Sequence, residues 1–169
     1  SDDHLRGQGS GETLIIGLGN PLISDDSVGL RVAQRLRNAL ADRDDIVVSE
    51  DYWGGLRLME RMIGFKRAIV IDAICTGAEP GTIHHLTTDM ISTQKSASAH
   101  DVNLPTALAF GRHAGALLPR DQDVYLLGIE AEDVINFSDE CTPAVAAAIP
   151  DAVQEVIQLL ESMLGEQAK

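Results

Sequence analysis

Asp26, Asp72 and His100 combine residue type and setting in a way that suits metal-directed chemistry. Asp26 follows a short apolar run and a glycine-rich turn. Asp72 closes a second apolar run, and His100 ends a polar stretch just before an expected helix. Two carboxylates and an imidazole suit a borderline divalent ion that keeps open coordination positions. The same residue types also serve as helix caps, each worth about 1 kcal/mol or less. Capping accounts for Asp25; the second carboxylate of the pair is left over, and Asp26 is the candidate ligand.

Those side chains need elements to hold them. Thr13-Leu-Ile-Ile-Gly-Leu18 reads as a buried parallel strand, and Val28, Val32, Leu36 and Leu40 recur every four residues along a helix from about Asp26 to Leu40. Ile46 to Ser49 reads as a second strand, Leu56 to Ile63 as a short helix, and Arg67 to Asp72 as a third strand. That alternation implies a parallel sheet with right-handed crossovers. After Pro80-Gly81, the segment Thr82 to Leu86 alternates as an edge or antiparallel strand should. Residues 87 to 99 form a polar loop, with a helix from about Asp101 to His113, a core strand from Val124 to Ile129, and a closing helix from Pro143 to Leu164, kinked or broken at Pro150. The expectation is an α/β fold: a doubly wound, mostly parallel sheet with one antiparallel edge strand and helices on both faces. Strand ends in such sheets bind ligands, so parallel order should bring Asp26 and Asp72 to one rim.

Competing chemistries are weaker. Gly17-Leu-Gly19 begins a dinucleotide fingerprint but lacks the third glycine, and Asp25 and Asp26 oppose a phosphate at the helix start. Cys75 with His84, His85 or His100 would be a thiol nucleophile and base. A lone Cys after a strand is more often a small buried hydrophobe, and no Cys-His signature supports the protease version. His84 and His85 face opposite ways in a strand, so at most one joins a site. His113 reads as a helix C-terminal partner, and Ser24, Ser27 and Ser98 as caps or loop groups, for want of a G-x-S-x-G turn.

Composition narrows the partners. The 169 residues suit one domain, assigned to 12–165, with 1–11 read as a flexible leader or expression remnant. Lys and Arg total 13 against 26 Asp and Glu, a net charge of -13 that disfavours nucleic acid. No apolar run approaches the roughly 20 residues of a membrane span, and with only Cys75 and Cys141 the expected compartment is the cytoplasm.

The G-L-G-N-P opening is similar to that of peptidyl-tRNA hydrolases, but the catalytic His of that family has no counterpart here. A fuller likeness follows from three landmarks: Gly17-x-Gly19-Asn-x-Leu-x-x-Asp-Asp26-x-x-Gly29, Asp72-Ala73 closing an apolar strand, and Ser98-x-His100-x-x-x-Leu104. In order and spacing, from about Leu14 to Leu159, the chain resembles the nickel-iron hydrogenase maturation endopeptidases. The resemblance implies a cytoplasmic protease that removes a C-terminal extension from the hydrogenase large-subunit precursor after nickel insertion. By position, Asp26, Asp72 and His100 would be the site residues and would contact nickel that the substrate supplies, leaving no tightly bound cofactor. Water is the implied nucleophile. The other reading is a non-catalytic chaperone that holds nickel or the precursor with the same ligands. One departure stands out: the family's Asp-Gly-Gly-Thr type loop is replaced by Asp51-Tyr-Trp-Gly54-Gly55, with Trp53 either a partner anchor or a core residue.

Overall fold

A computed structural model describes residues 12–52, 54–88, 90 and 103–167 of the chain. The strands are β1 (Thr13–Leu18), β2 (Ile46–Asp51), β3 (Arg67–Ile74), β4 (Ile83–Thr87) and β5 (Val124–Glu130). The helices are α1 (Val28–Ala39), α2 (Gly55–Met62), α3 (Leu104–His113) and α4 (Pro143–Gln167). The sheet order is β2-β1-β3-β5-β4, parallel throughout except for the antiparallel edge strand β4.

Strand alternation sorts the apolar side chains into two layers. Ile15, Ile69, Ile71 and Leu127 pack with α1 and α4, while Leu14, Ile16, Val70 and Leu126 pack with α2 and α3. Both faces are therefore covered, which is why β1 and β3 read as unbroken apolar runs. The chain leaves β1 for β2 over one face and returns to β3 over the other. A switch point therefore falls between β1 and β3, and such crevices are where open α/β sheets bind ligands.

Two expectations need correction. Beyond β4 the polar stretch is not wholly loop, because Thr88 and Met90 are already helical; the rest of 87 to 99, except Thr87, lies outside the described residues. The closing helix runs through Pro150 without a break and reaches Gln167. Pro150 removes one amide from the ladder, but Val145, Ile149, Ala152, Val153 and Val156 are buried on both sides of it, and that packing carries the helix across.

Glycine sets how closely α1 sits on the sheet. A Cβ on Gly29 would lie 2.4 Å from both the Leu18 and the Ile71 carbonyl oxygens, and one on Gly17 would lie 2.3 Å from the Gly29 oxygen. Backbone meets backbone there, with no flexible side chain to move aside. Gly29→Ala should therefore destabilise the protein by about 2–4 kcal/mol in urea denaturation. A loss under about 0.5 kcal/mol would show that the first turn of α1 has room to shift.

Candidate functional site at the β1 and β3 strand ends

Pairing of Gly17 with Ile71 places Leu18 beside Asp72 in the β1–β3 ladder. Asp72 is fully buried; it lies two residues inside β3 rather than at its end, and one carboxylate oxygen accepts the Ala73 amide at 2.8 Å. On β3 it alternates with Ala73 and shares a face with Val70, the face covered by α2 and α3. Asp26 follows β1 in a 3-10 turn, Asp25–Ser27, that packs against β3. Its Oδ2 accepts the Asn20 amide at 3.1 Å, and 7% of its surface remains exposed. Asp26 thus lies in the turn after β1 and Asp72 on the neighbouring strand β3, next to the switch point, with Asp26 keeping a little exposed surface and Asp72 enclosed. His100 lies outside the described residues; α3, which starts four residues after it, packs on the Asp72 face. Among the described residues no group of three or more His, Cys, Asp and Glu side chains is arranged to hold a metal ion.

Asp25 does not cap its helix. It is fully buried, and its carboxylate accepts the amides of Glu132, Asp133 and Thr142 and the Thr142 hydroxyl at 2.7–2.9 Å. Charge-assisted bonds of this kind offset the cost of burying an anion. Ser24 and Ser27 also make no capping bond: Ser24 Oγ donates to the Glu140 carbonyl and Ser27 Oγ to the Ser24 carbonyl. The adjacent aspartates therefore divide, Asp25 tying the β1–α1 loop to the loop after β5 and Asp26 facing the rim.

Sequence reasoning missed Glu130. At the end of β5 and 2% exposed, it accepts the Thr76 amide at 2.8 Å and the Thr76 hydroxyl at 2.5 Å, with His84 Nε2 at 3.1 Å. Burial alone would raise its carboxyl; the bonds from Thr76, His84 and the Gly77 amide outweigh that and hold it below the usual glutamate range. The available signal was an apolar run closing on an acid, the same pattern that singled out Asp72. His85 turns the other way, to Glu155 on α4 at 2.6 Å, so the two histidines do split between faces. His113 occupies the last turn of α3.

Cys75 is exposed rather than a buried hydrophobe. β3 runs to Ile74, which leaves the thiol just past the sheet. Partial burial and then the charges of Glu130, Asp26, Asp72 and Asp25 push its pKa up, the reverse of what a thiolate nucleophile needs. Trp53 lies outside the described residues. Concavity alone would mislead, since a depression of about 480 Å³ lined by Phe65, Lys66, Leu118 and Asp123 opens at the opposite, N-terminal ends of β3 and β5.

The Glu130 bonds predict a pH signature. A depressed carboxyl stabilises the fold above its unfolded pKa, about 4.3, and loses that contribution as pH falls through the lower folded value. The stability difference between wild type and Glu130→Gln should hold steady above about pH 5 and close below about pH 4 in denaturant titrations. A difference that is flat through pH 3 would contradict the bonding described.

The chain shares this architecture with known proteins. The hydrogenase maturating endopeptidase HybD of E. coli superposes with a TM-score of 0.72 at 25% identity, covering 90% of this chain and 93% of that one. The nickel-iron hydrogenase maturation protease HybD of Thermococcus kodakarensis superposes at 0.66 with 26% identity, covering 88% and 98%. In sequence, the hydrogenase expression/formation protein HupD of Rhizobium leguminosarum bv. viciae is 27% identical over 152 residues, 88% of this chain and 74% of its own. A putative hydrogenase maturation protease of Methanocaldococcus jannaschii is 29% identical over 164 residues, 94% and 97% of the two chains. The hydrogenase maturation protease family model matches residues 30–159, a span that holds Asp72 and His100 and starts just after Asp26. With that match over most of its length, the chain belongs to the hydrogenase maturation protease family and is a hydrolase with a role in processing hydrogenase.

Proposed function

We propose that the protein is an endopeptidase that removes the C-terminal extension of a nickel-iron hydrogenase large-subunit precursor after nickel insertion, reading the substrate's own nickel as the signal to cut. The observation that supports this most is the placement of Asp26, in the turn after β1, and Asp72, on the adjacent strand β3, beside the switch point in a chain of this family. Carboxylate oxygens and the His100 imidazole would fill open positions on an ion that the precursor holds, while the protein keeps no tightly bound metal of its own. Binding the ion would fix the scissile bond against the rim, a positioning effect that can supply a large share of the rate. Hydrolysis then needs only water: its hydroxyl adds to the carbonyl carbon, the C–N bond breaks, and the departing amine takes the proton. Asp26, Asp72 and His100 are the residues proposed to carry recognition and catalysis. No helix among the described residues is long and apolar enough to cross a membrane, and the cytoplasm is the proposed compartment. Family membership favours this enzyme over a chaperone that holds the precursor without cutting it.

Intact mass of nickel-loaded and nickel-free precursor after incubation with the protein tests the proposal. The loaded form alone should shorten. Asp26→Ala and His100→Ala should slow cutting by at least about 100-fold, while Cys75→Ser, whose thiol is poised against ionisation, should stay within about twofold of wild type. Equal cutting of both precursor forms would remove nickel from the account, and a stable complex without shortening would leave the chaperone.

A further inference from the structure

Two loops meet beside the site and carry large apolar side chains into solvent. Residues 20–27 follow β1 and residues 131–142 follow β5. Ile23 and Phe137 form an antiparallel bridge, the Ser24 amide donates to the Asn136 carbonyl at 3.1 Å, and the Ser138 amide donates to the Leu22 carbonyl at 3.1 Å. Beneath them the Asp25 carboxylate holds Glu132, Asp133 and Thr142. On this fixed base Leu22 is 63% exposed, Ile135 80% and Phe137 81%. Leu22 and Phe137 flank a depression of about 300 Å³ that Pro21, Ser138 and Asp139 complete.

Building on the function proposed above, we infer that this paired-loop surface, with Leu22 and Phe137 as its anchors, is where the folded body of the hydrogenase precursor seats while its tail reaches Asp26. Continuity with the site identifies the occupant. The Leu22 amide donates to Asn20 Oδ1 at 3.0 Å, and the Asn20 amide donates to Asp26 Oδ2 at 3.1 Å, so a substrate chain at Asp26 lies against the same short turn that presents Leu22. Rigidity fits the role, because side chains on an ordered base lose little freedom when they bind, and apolar or aromatic anchors of this kind carry most of the energy of an interface. Charge separates the precursor from the other candidate, a second copy of this chain. Glu132, Asp139 and Glu140 are exposed around the anchors, and the chain carries a net charge of -13, so two copies would oppose like charge to like. The matching surface on the precursor is an apolar recess bordered by Lys or Arg.

The test compares cleavage of nickel-loaded precursor across a concentration series by wild type, by Leu22→Ser/Phe137→Ser, and by Phe137→Leu, with precursor binding measured in parallel and circular dichroism confirming that each variant is folded. The double variant should show KM raised at least about 10-fold, a matching loss of binding, and recovery of cutting at high precursor concentration. Phe137→Leu should retain most of the affinity. A folded double variant with KM and binding unchanged overturns the assignment on its own, with the wild type still cutting. A wild type that neither binds nor cuts any loaded precursor sinks the function along with it. A wild-type dimer in sedimentation that the double variant dissociates would give the surface to a second copy instead.

Discussion

Direct backbone contact between the first turn of α1 and the ends of β1 and β3 is the constraint on which the site depends. Gly17 and Gly29 permit it, because a methyl group at either position would sit inside the contact distance of a carbonyl oxygen. With the helix drawn down, the 3-10 turn before it must lie across the crevice between β1 and β3. Asp26, in that turn, is then held against the crevice that β3, carrying Asp72, borders. Residues remote from any reacting atom thus set the geometry that the chemistry requires.

Around that crevice four buried carboxylates divide the work. Asp25 and Glu130 are each bonded to several donors, and each clamps one border of the site: Asp25 joins the loops after β1 and β5, and Glu130 joins the turn after β3 to β4. An isolated cluster of buried anions would be costly, and the clamps explain why this one persists: the charges that hold structure are satisfied by amides and hydroxyls. Burial and, after it, the charges of Glu130, Asp26, Asp72 and Asp25 push the Cys75 thiol up, and a negative field of that kind favours a cation arriving from outside.

Much of this was legible in the sequence because its information is local. Continuous apolar runs marked β1 and β3, fourfold spacing of Val28, Val32 and Leu36 marked α1, and a Pro-Gly turn before an alternating segment marked β4 as the antiparallel edge. Strand order placed β3, with Asp72, beside β1, which leads to Asp26. Contacts between distant loops were not legible. Thr142 meets Asp25 across 117 positions, and no local pattern announces it, so Asp25 read as a helix cap. Cys75 read as a small buried hydrophobe because lone cysteines after strands usually are; here β3 ends at Ile74 and the thiol lies just past it, exposed. Pro150 read as a kink or a break, and the break is absent because burial on both sides of it overrides local propensity.

The most direct test of the central claim looks at the ion itself. X-ray absorption at the nickel edge, recorded on the loaded precursor alone and in complex with this protein, reports the donors around the metal. The account predicts that new oxygen and nitrogen scatterers join the nickel's shell on complex formation, and that they are lost selectively with Asp26→Ala, Asp72→Ala or His100→Ala in complexes that still form. An unchanged nickel shell in a complex that goes on to cut would show that the carboxylates and imidazole serve hydrolysis without touching the metal, and would contradict the claim.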